Sequence, residues 1–148
     1  MANKKIGMDT VEQFEKEIAN FYDAPYAVAT DSCTHAIELC LRHKPPAPGI
    51  ELSVPARTYI SIPFTLMKLD LRWNFVDQVW QDYYHLTDDI IDAAVLWRKN
   101  SYVAGTYMSV SFQFRKHLSL GRGGMILTDD VDAAKKLKKM SYDGREPN

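Results

Sequence analysis

The chain has 148 residues, about the length of one average domain, and is 46% hydrophobic and 25% charged. This composition is typical of a globular protein and excludes a disordered chain. The 18 basic and 19 acidic residues give a net charge of −1, so the chain lacks the positive excess of a sequence-independent nucleic-acid-binding protein. We therefore expect residues 1–148 to form a single domain around one core, without a structural metal or disulfide.

The cysteines and the amino terminus give no sign of export or metal binding. Cys33 and Cys40 lie seven residues apart in a predicted helix, which predicts two buried thiols rather than a disulfide framework or a zinc site. Residues 1–5 are followed by Gly7, Asp9, Glu12 and Glu15 instead of an apolar signal segment, and no apolar run reaches about eighteen residues. We expect a cytoplasmic protein with no metal, no membrane contact and no nucleic-acid partner.

The hydrophobic pattern of the first half predicts alternating helices and strands. Apolar residues recur at helical spacing near the start, and two short apolar runs are each followed by a polar turn and a further helical pattern. The Pro-rich stretch 45–49 ends the second helix, and Pro63 is expected to bend the third. In chain order we predict a helix over 11–22, a strand over 26–30, a helix around 37–41, a strand over 50–54, a helix over 59–69 and a strand over 71–76.

The second half is less regular. Residues 77–100 are rich in Trp, Tyr and Asp without a clean period, although 90–94 is a short apolar segment. Alternation predicts a strand over 107–112, a Gly-rich turn leads to another over 125–128, and the charges of 129–140 predict a helix. The alternation of strands and helices favours a three-layer α/β/α sandwich with a mostly parallel sheet, whose ligands bind beyond the carboxyl ends of the strands.

The most specific string of the chain is SFQFRKHLSLGRGGMILTD, residues 111–129. It resembles the cofactor-lysine segment of the DegT-type sugar aminotransferases, fold-type-I enzymes that use pyridoxal 5′-phosphate (PLP). Their pattern is S-F-H-x-x-K-x-L-x-x-G-E-G-G before a strand ending in T-x-D, so Gln113 replaces the usual His and Arg122 the usual Glu. The resemblance implies that Lys116 is the catalytic residue, forming the Schiff base with the cofactor and moving protons at the substrate carbon.

An upstream turn resembles the same family. Residues 29–39 resemble its S-G-T-A-A-L-x-L-A-L segment, which places a helix N-terminus under the cofactor phosphate, where backbone N–H groups and the helix dipole favour an anion. The resemblance implies that Thr34 and Ser111 bind the phosphate. Cys33 stands in place of a small residue of this turn and His35 in place of Ala.

A second upstream segment, residues 54–61, resembles the family's V-P-S-x-T-F/W-V-A/S. Its aromatic residue stacks on the pyridine ring, which implies that Tyr59 is the ring platform. The cofactor-binding set implied by the resemblance also includes Cys33, Gln113 and Lys116.

The acidic partner of the pyridine nitrogen has two candidate alignments. Residues 90–94 resemble V-I-E-D-A-A, which implies that Asp92 keeps the ring nitrogen protonated. Residues 84–94 also resemble an earlier family stretch, Y-N-I-D-P-E-x-I-E-A-A-I, in which the acid lies on a helix surface. We favour the first alignment, because only it leaves a carboxylate ahead of the lysine strand.

The resemblance spans roughly residues 14–144, but members of the family are longer. They contain a further strand–helix unit before the segment matching Asp92, and a C-terminal small domain, so a fragment, a compact enzyme and an inactive relic all fit. The implied function is transfer of an amino group from an amino acid, with glutamate expected, to a keto sugar nucleotide. A non-catalytic binding or assembly domain is the alternative. A related dehydratase is disfavoured, because those enzymes have another residue in place of Lys116.

The resemblance also implies an assembly. Fold-type-I enzymes of this kind build each active site at a two-fold interface, so we expect a symmetric homodimer that covers the mouth of the Lys116 site. The aromatic residues of 73–107 are candidate anchors of that interface. The alternative is a monomer in which those rings fill the core.

Overall fold

The computed structural model describes residues 6–145. Within this range the chain forms four helices and seven strands, and the predicted helices and strands are present with shifted ends. In chain order they are α1 (Ile6–Tyr22), β1 (Tyr26–Thr30), α2 (Cys33–His43), β2 (Glu51–Pro55), α3 (Ser61–Lys68), β3 (Arg72–Val76), β4 (Tyr84–His85), β5 (Ile90–Asp92), β6 (Tyr107–Ser111), β7 (Gly124–Thr128) and α4 (Val131–Ser141).

Local chemistry explains where two of the helices begin. Asp130 caps α4, since its carboxylate accepts hydrogen bonds at 3.0 Å from the N–H groups of Asp132 and Ala133. Helix α3 begins at Ser61, two residues later than predicted. Pro63 therefore lies in the first turn, where its missing N–H leaves no hydrogen bond unmade.

The strands form a five-stranded sheet in the order β1-β7-β6-β5-β4 and a separate pair, β2-β3. The expectation of a mostly parallel sheet needs correction: β5 and β6 are parallel, whereas β1–β7, β7–β6 and β5–β4 are antiparallel. The cause is the loop 112–123, which turns the chain directly from β6 into β7. A crossover helix, which a parallel pair would require, does not intervene.

Helices cover both faces of the five-stranded sheet, which confirms the three-layer sandwich. Ile126 of β7 packs in a core with α2, α3 and α4, whereas Met125 and Leu127 pack in a second core with α1. Adjacent residues of a strand point to opposite faces, so one strand contributes to both cores. The single core expected from chain length is thus two cores, one on each side of the sheet.

The irregular stretch joins the two cores. Trp97 stacks on Phe21 of α1, with ring centroids 4.3 Å apart, and Trp80 packs edge-on against Tyr84 at 5.0 Å. Trp73 and Trp80 lie against the α2 core. The tryptophans of 73–107 therefore mainly complete the cores, as in the alternative to interface anchoring.

The cysteines agree with the prediction, since Cys33 and Cys40 are both buried and free. Among the described residues, no helix is long and apolar enough to cross a bilayer. The same part of the chain holds no group of three or more His, Cys, Asp or Glu side chains arranged for a metal ion.

Candidate functional site

A cavity of about 770 Å³ opens where β5 and β6 end and where α2 begins. It lies beyond the carboxyl ends of the strands, as expected for an α/β sandwich. All seven residues that the resemblance assigned to the cofactor line it, namely Cys33, Thr34, Tyr59, Asp92, Ser111, Gln113 and Lys116. Residues from segments up to 83 positions apart, Cys33 to Lys116, therefore meet at one place.

The N-terminus of α2 forms one wall of this cavity. Ser32 caps the helix, because its side-chain oxygen accepts a hydrogen bond from the His35 N–H at 3.1 Å. The N–H groups of Cys33 and Thr34 have no acceptor within the helix, and both residues line the cavity. This wall is suited to bind an anion, since backbone donors and the positive end of the helix dipole coincide there.

Gly124, the first residue of β7, allows α2 to start this close to the sheet. A Cβ atom at this position would lie 2.4 Å from the carbonyl carbon of Ser32 and 2.5 Å from the nitrogen of Cys33. Both atoms belong to the backbone and cannot rotate away. A side chain at residue 124 would thus push the anion-binding wall off the sheet.

We expect Gly124→Ala to lower the free energy of unfolding by about 1 to 3 kcal/mol, the usual cost of overpacking. Urea denaturation of the purified variant measures this change. Gly49→Ala is the comparison, because a Cβ there meets nothing within 4 Å and only the positive φ of 83° is disfavoured, at about 1 kcal/mol. A Gly124→Ala variant as stable as the unmodified chain would contradict the close packing.

The loop 112–123 carries Lys116 over the cavity. Its base is closed by two hydrogen bonds of 2.9 Å, from the N–H of Phe112 to the Gly123 carbonyl and from the N–H of Leu120 to the Phe112 carbonyl. The Lys116 N–H donates to the Gln113 carbonyl at 2.8 Å, forming a tight turn. The half-buried Lys116 side chain makes no ion pair with any described residue, so its amine is available for chemistry.

Asp92 lies at the end of β5 and is 6% exposed. Its Oδ1 accepts a hydrogen bond from the Ala94 N–H and its Oδ2 from the Tyr84 hydroxyl, both at 3.0 Å. Burial raises the pKa of this carboxyl, while the two hydrogen bonds and the positive charge of Lys116 act in the opposite direction. A buried strand position agrees with the favoured alignment and not with a helix surface.

Tyr59 and Ser61 border the cavity on the side of α3. Tyr59 is 66% exposed, so its ring is not part of either core and one face is free. The Thr34 hydroxyl donates a hydrogen bond to Ser61 Oγ at 2.9 Å, which ties α2 to the start of α3. Ser61 also lines the cavity, although it was not assigned to the site from the sequence. It occupies the last position of the V-P-S-x-T-F/W-V-A/S pattern, which could have indicated this.

Two of the departures from the family pattern are joined in space. The guanidinium of Arg122 donates two hydrogen bonds to Asp31, one to its carboxylate at 3.0 Å and one to its backbone carbonyl at 3.2 Å. His35 Nδ1 lies 3.0 Å from the same carboxylate. Although burial raises the pKa of Asp31, the Ser32 hydrogen bond and the charges of His35 and Arg122 lower it overall. A positive residue 122 thus has a negative partner in this chain.

Sequence reasoning did not assign three further residues at the site. Arg115 and Phe114 line the cavity beside Lys116, but nothing in the family pattern distinguishes them from other loop positions. Tyr84 lies behind Asp92, in the stretch without a clean period. Only the pairing of β4 with β5 reveals its position.

The sequence matches the model of the DegT/DnrJ/EryC1/StrS aminotransferase family over residues 3–104 and 99–148. These two stretches cover nearly the whole chain. The chain belongs to this family. The resemblance of residues 111–129 to this family is thereby confirmed at the level of the family.

Curated relatives include a spore coat polysaccharide biosynthesis protein, SpsC, of Bacillus subtilis strain 168, which is 27% identical over 178 residues and matches 90% of this chain and 46% of its own length. The 3-amino-5-hydroxybenzoate synthase of Amycolatopsis mediterranei is 37% identical over 91 residues, 62% of this chain and 23% of the relative. The chain therefore spans half or less of these relatives. Since the 178 aligned positions exceed the 148 residues of the chain, SpsC has extra residues within the matched region.

Solved structures show the same fold. A crystal structure of 3-amino-5-hydroxybenzoic acid synthase superposes with a TM-score of 0.75 at 22% identity, over 95% of this chain and 48% of that protein. The structure of DesI with its TDP-sugar product gives a TM-score of 0.71 at 19% identity, over 93% and 46%. The chain thus has the fold of about half of each of these two proteins.

Proposed function

We propose that this chain binds PLP as one domain, residues 1–148, and transfers an amino group from an amino acid to a keto sugar nucleotide. One observation carries the proposal. The cavity brings together a lysine without an ion pair among the described residues, a buried carboxylate and a helix N-terminus suited to an anion. These are the three groups that a phosphorylated pyridine aldehyde requires.

The residues present fit such a cofactor. The N–H groups at the start of α2 and the Ser111 hydroxyl would hold the phosphate, and the absence of a Cβ at Gly124 makes room for this wall. The Thr34 hydroxyl would join them by turning its proton from Ser61 to the phosphate. The exposed ring of Tyr59 offers a flat face for the pyridine. Asp92 would contact the ring nitrogen and Lys116 the aldehyde carbon. Cys33 and Gln113 complete the lining.

When bound, PLP supplies an electron sink for the amino-acid carbon. The residues of this chain supply the rest. The negative charge of Asp92, held in a buried position, would favour a proton on the pyridine nitrogen. The Lys116 amine would serve as the nucleophile toward the aldehyde and as the proton carrier at the substrate carbon. Helix α2 and loop 112–123 form two walls of the cavity.

Two further features support the substrate class. Arg115 and Arg122 line the cavity together with Lys116. Since Arg122 is paired with Asp31, Arg115 is the cation that suits the carboxylate of an amino donor or the diphosphate of a sugar nucleotide. The relatives include GDP-perosamine synthase of Caulobacter vibrioides, 26% identical over 93% of this chain and 49% of that protein. Glutamate is the donor we expect.

The test is a half-reaction. The chain is loaded with PLP, freed of excess cofactor and mixed with glutamate without an acceptor, while the absorbance of the bound cofactor and the amount of 2-oxoglutarate are measured. We expect about one 2-oxoglutarate per cofactor and loss of the original absorbance band. Stable cofactor binding without any 2-oxoglutarate would contradict transamination and support the binding or assembly alternative.

The same surface supports a symmetric homodimer. Tyr59 and Phe114 line the cavity but are 66% and 59% exposed, and a two-fold contact over the mouth would cover both rings. Ile60, the N-cap residue of α3, and Phe64 and Met67 within the helix are also exposed. At spacings of four and three residues they form one stripe. A large apolar surface beside a cavity is typical of an interface.

Light scattering of the PLP-loaded chain at micromolar concentration should give a dimer. We expect Phe64→Glu to give a monomer, because it places a charge in the apolar stripe. Val79→Glu should leave the dimer intact, since Val79 is 95% exposed and lies outside the stripe. A monomeric unmodified chain, or a dimer equally present in both variants, would contradict this interface.

A further inference from the structure

Tyr84 is fixed directly against Asp92. The two residues are opposite each other in the antiparallel pair β4–β5, and the Tyr84 hydroxyl donates to Asp92 Oδ2 at 3.0 Å. Tyr84 is 2% exposed, and burial raises the pKa of its hydroxyl, so it stays a protonated donor. Tyr84 is not one of the described residues that line the cavity, so it can act on a ligand only through Asp92.

A third residue continues this chain of hydrogen bonds. Thr58 Oγ1 lies 2.6 Å from the Tyr84 hydroxyl oxygen. Because the single Tyr84 proton is directed to a carboxylate, which only accepts, the Thr58 hydroxyl must donate to Tyr84. Both donors therefore point toward Asp92, an arrangement in which each hydrogen bond strengthens the next.

We propose that Tyr84 is a positioning residue that keeps Asp92 ionised and its carboxylate directed into the cavity. The inference rests on the proposed function, in which Asp92 faces the pyridine nitrogen. Thr58, which is hydrogen-bonded to the Tyr84 hydroxyl, directly precedes Tyr59 in the chain. Asp92 and the segment that carries Tyr59 are thus held by one hydrogen-bond network.

Other groups around Asp92 set the charge balance that Tyr84 adjusts. Burial raises the pKa of the Cys33 thiol well above its usual value, so this neighbour on α2 is neutral. Lys116, on the loop after β6, faces the carboxylate with a positive charge. On β5 itself, the Ala94 N–H donates to the other carboxylate oxygen. Among these neighbours, it is the Tyr84 hydroxyl that donates a side-chain hydrogen bond to Asp92.

The first test measures the pKa of Asp92 in the cofactor-free chain, by following its carboxyl ¹³C resonance in a pH titration. We expect Tyr84→Phe to raise this pKa by about one to two units, which corresponds to losing a hydrogen bond to a charged group. The matched control is Tyr22→Phe. Tyr22 is also fully buried and donates to the Leu96 carbonyl at 2.6 Å, in the core next to α1, so its loss should leave the pKa of Asp92 unchanged.

The second test measures the dissociation constant of PLP as a function of pH. As the pH is lowered and Asp92 becomes protonated, PLP binding should weaken. For Tyr84→Phe we expect this weakening at a pH about one to two units higher than in the unmodified chain, whereas the profile of Tyr22→Phe should match that of the unmodified chain. Equal pKa values of Asp92, or equal PLP profiles, in the two variants would overturn the inference. An unmodified chain that does not bind PLP would instead contradict the proposed function.

Thr58→Val keeps the test decisive if Tyr84→Phe does not fold. This change removes the donor to the Tyr84 oxygen but leaves Tyr84 bound to Asp92. We expect the pKa of Asp92 to rise in the same direction by a smaller amount, since the Tyr84 hydroxyl is less polarised. An unchanged pKa of Asp92 in this variant would contradict the network.

Discussion

Replacing Lys116 with Ala should abolish amino transfer, with a rate loss of at least about 10⁴-fold, because one amine serves as both nucleophile and proton carrier. The half-reaction with glutamate, followed by 2-oxoglutarate formation, measures the loss. The fold should be little affected, since the half-buried side chain makes no ion pair with any residue of 6–145. We expect the free energy of unfolding to change by no more than about 0.5 kcal/mol.

Two further variants test whether the Lys116 amine, and not only its positive charge, is required. Lys116→Arg keeps a positive charge, but a guanidinium remains protonated and cannot attack a carbonyl carbon, so the loss should be as large as with Ala. Lys68→Ala removes a lysine that pairs with Glu38 at 2.9 Å, outside the cavity lining, and should keep the full rate. An active Lys116→Arg variant would contradict the nucleophilic role.

Replacing Asp92 with Asn should lower the rate of the half-reaction by about 10²-fold or more, the usual effect of losing one charge in a buried site. A neutral amide does not hold a proton on the ring nitrogen. The amide retains hydrogen-bonding capacity toward Ala94 and Tyr84, so the variant should still bind PLP. Unchanged activity would support the alternative alignment, in which the acid has no contact with the cofactor.

The same substitution should have the opposite effect on stability. Burial raises the pKa of Asp92 in the folded chain, so between the unfolded and folded pKa values the native state binds more protons than the unfolded state. The free energy of unfolding contributed by this group therefore falls as pH rises through that window. Asn cannot ionise, so Asp92→Asn removes this pH-dependent loss of stability. At a pH above the folded pKa of Asp92, urea denaturation of the cofactor-free variant should give a free energy of unfolding equal to or above that of the unmodified chain.

Periodicity predicted the fold where single elements bury one face. The helical spacing of α1 and α2 reflects contact of one helix face with a core, so these patterns are visible locally. Strand β6 is buried on both faces, with Tyr107 in one core and Met108 and Val110 in the other. The direction of β7 has no such local signature, because it depends on how loop 112–123 returns to the sheet. Short strands such as β4, with two residues, contain too few side chains to show a period.

The candidate site was predicted as a set of residues but not as a network. The segments containing Thr34, Tyr59 and Lys116 carry family patterns, and the fold brings all three to one cavity. The contact between Tyr84 and Asp92 arises from strand pairing, which a single sequence does not reveal. The link between Arg122 and Asp31 likewise joins residues 91 positions apart.

The most direct measurement is reductive labelling. The chain is incubated with PLP, treated with borohydride to reduce the carbon–nitrogen double bond to the lysine, digested, and analysed by mass spectrometry. The account predicts a yellow protein and one reduced adduct, on Lys116, that is absent from Lys116→Arg. An adduct on another lysine, or no adduct at all, would contradict the central claim that this cavity is a PLP site.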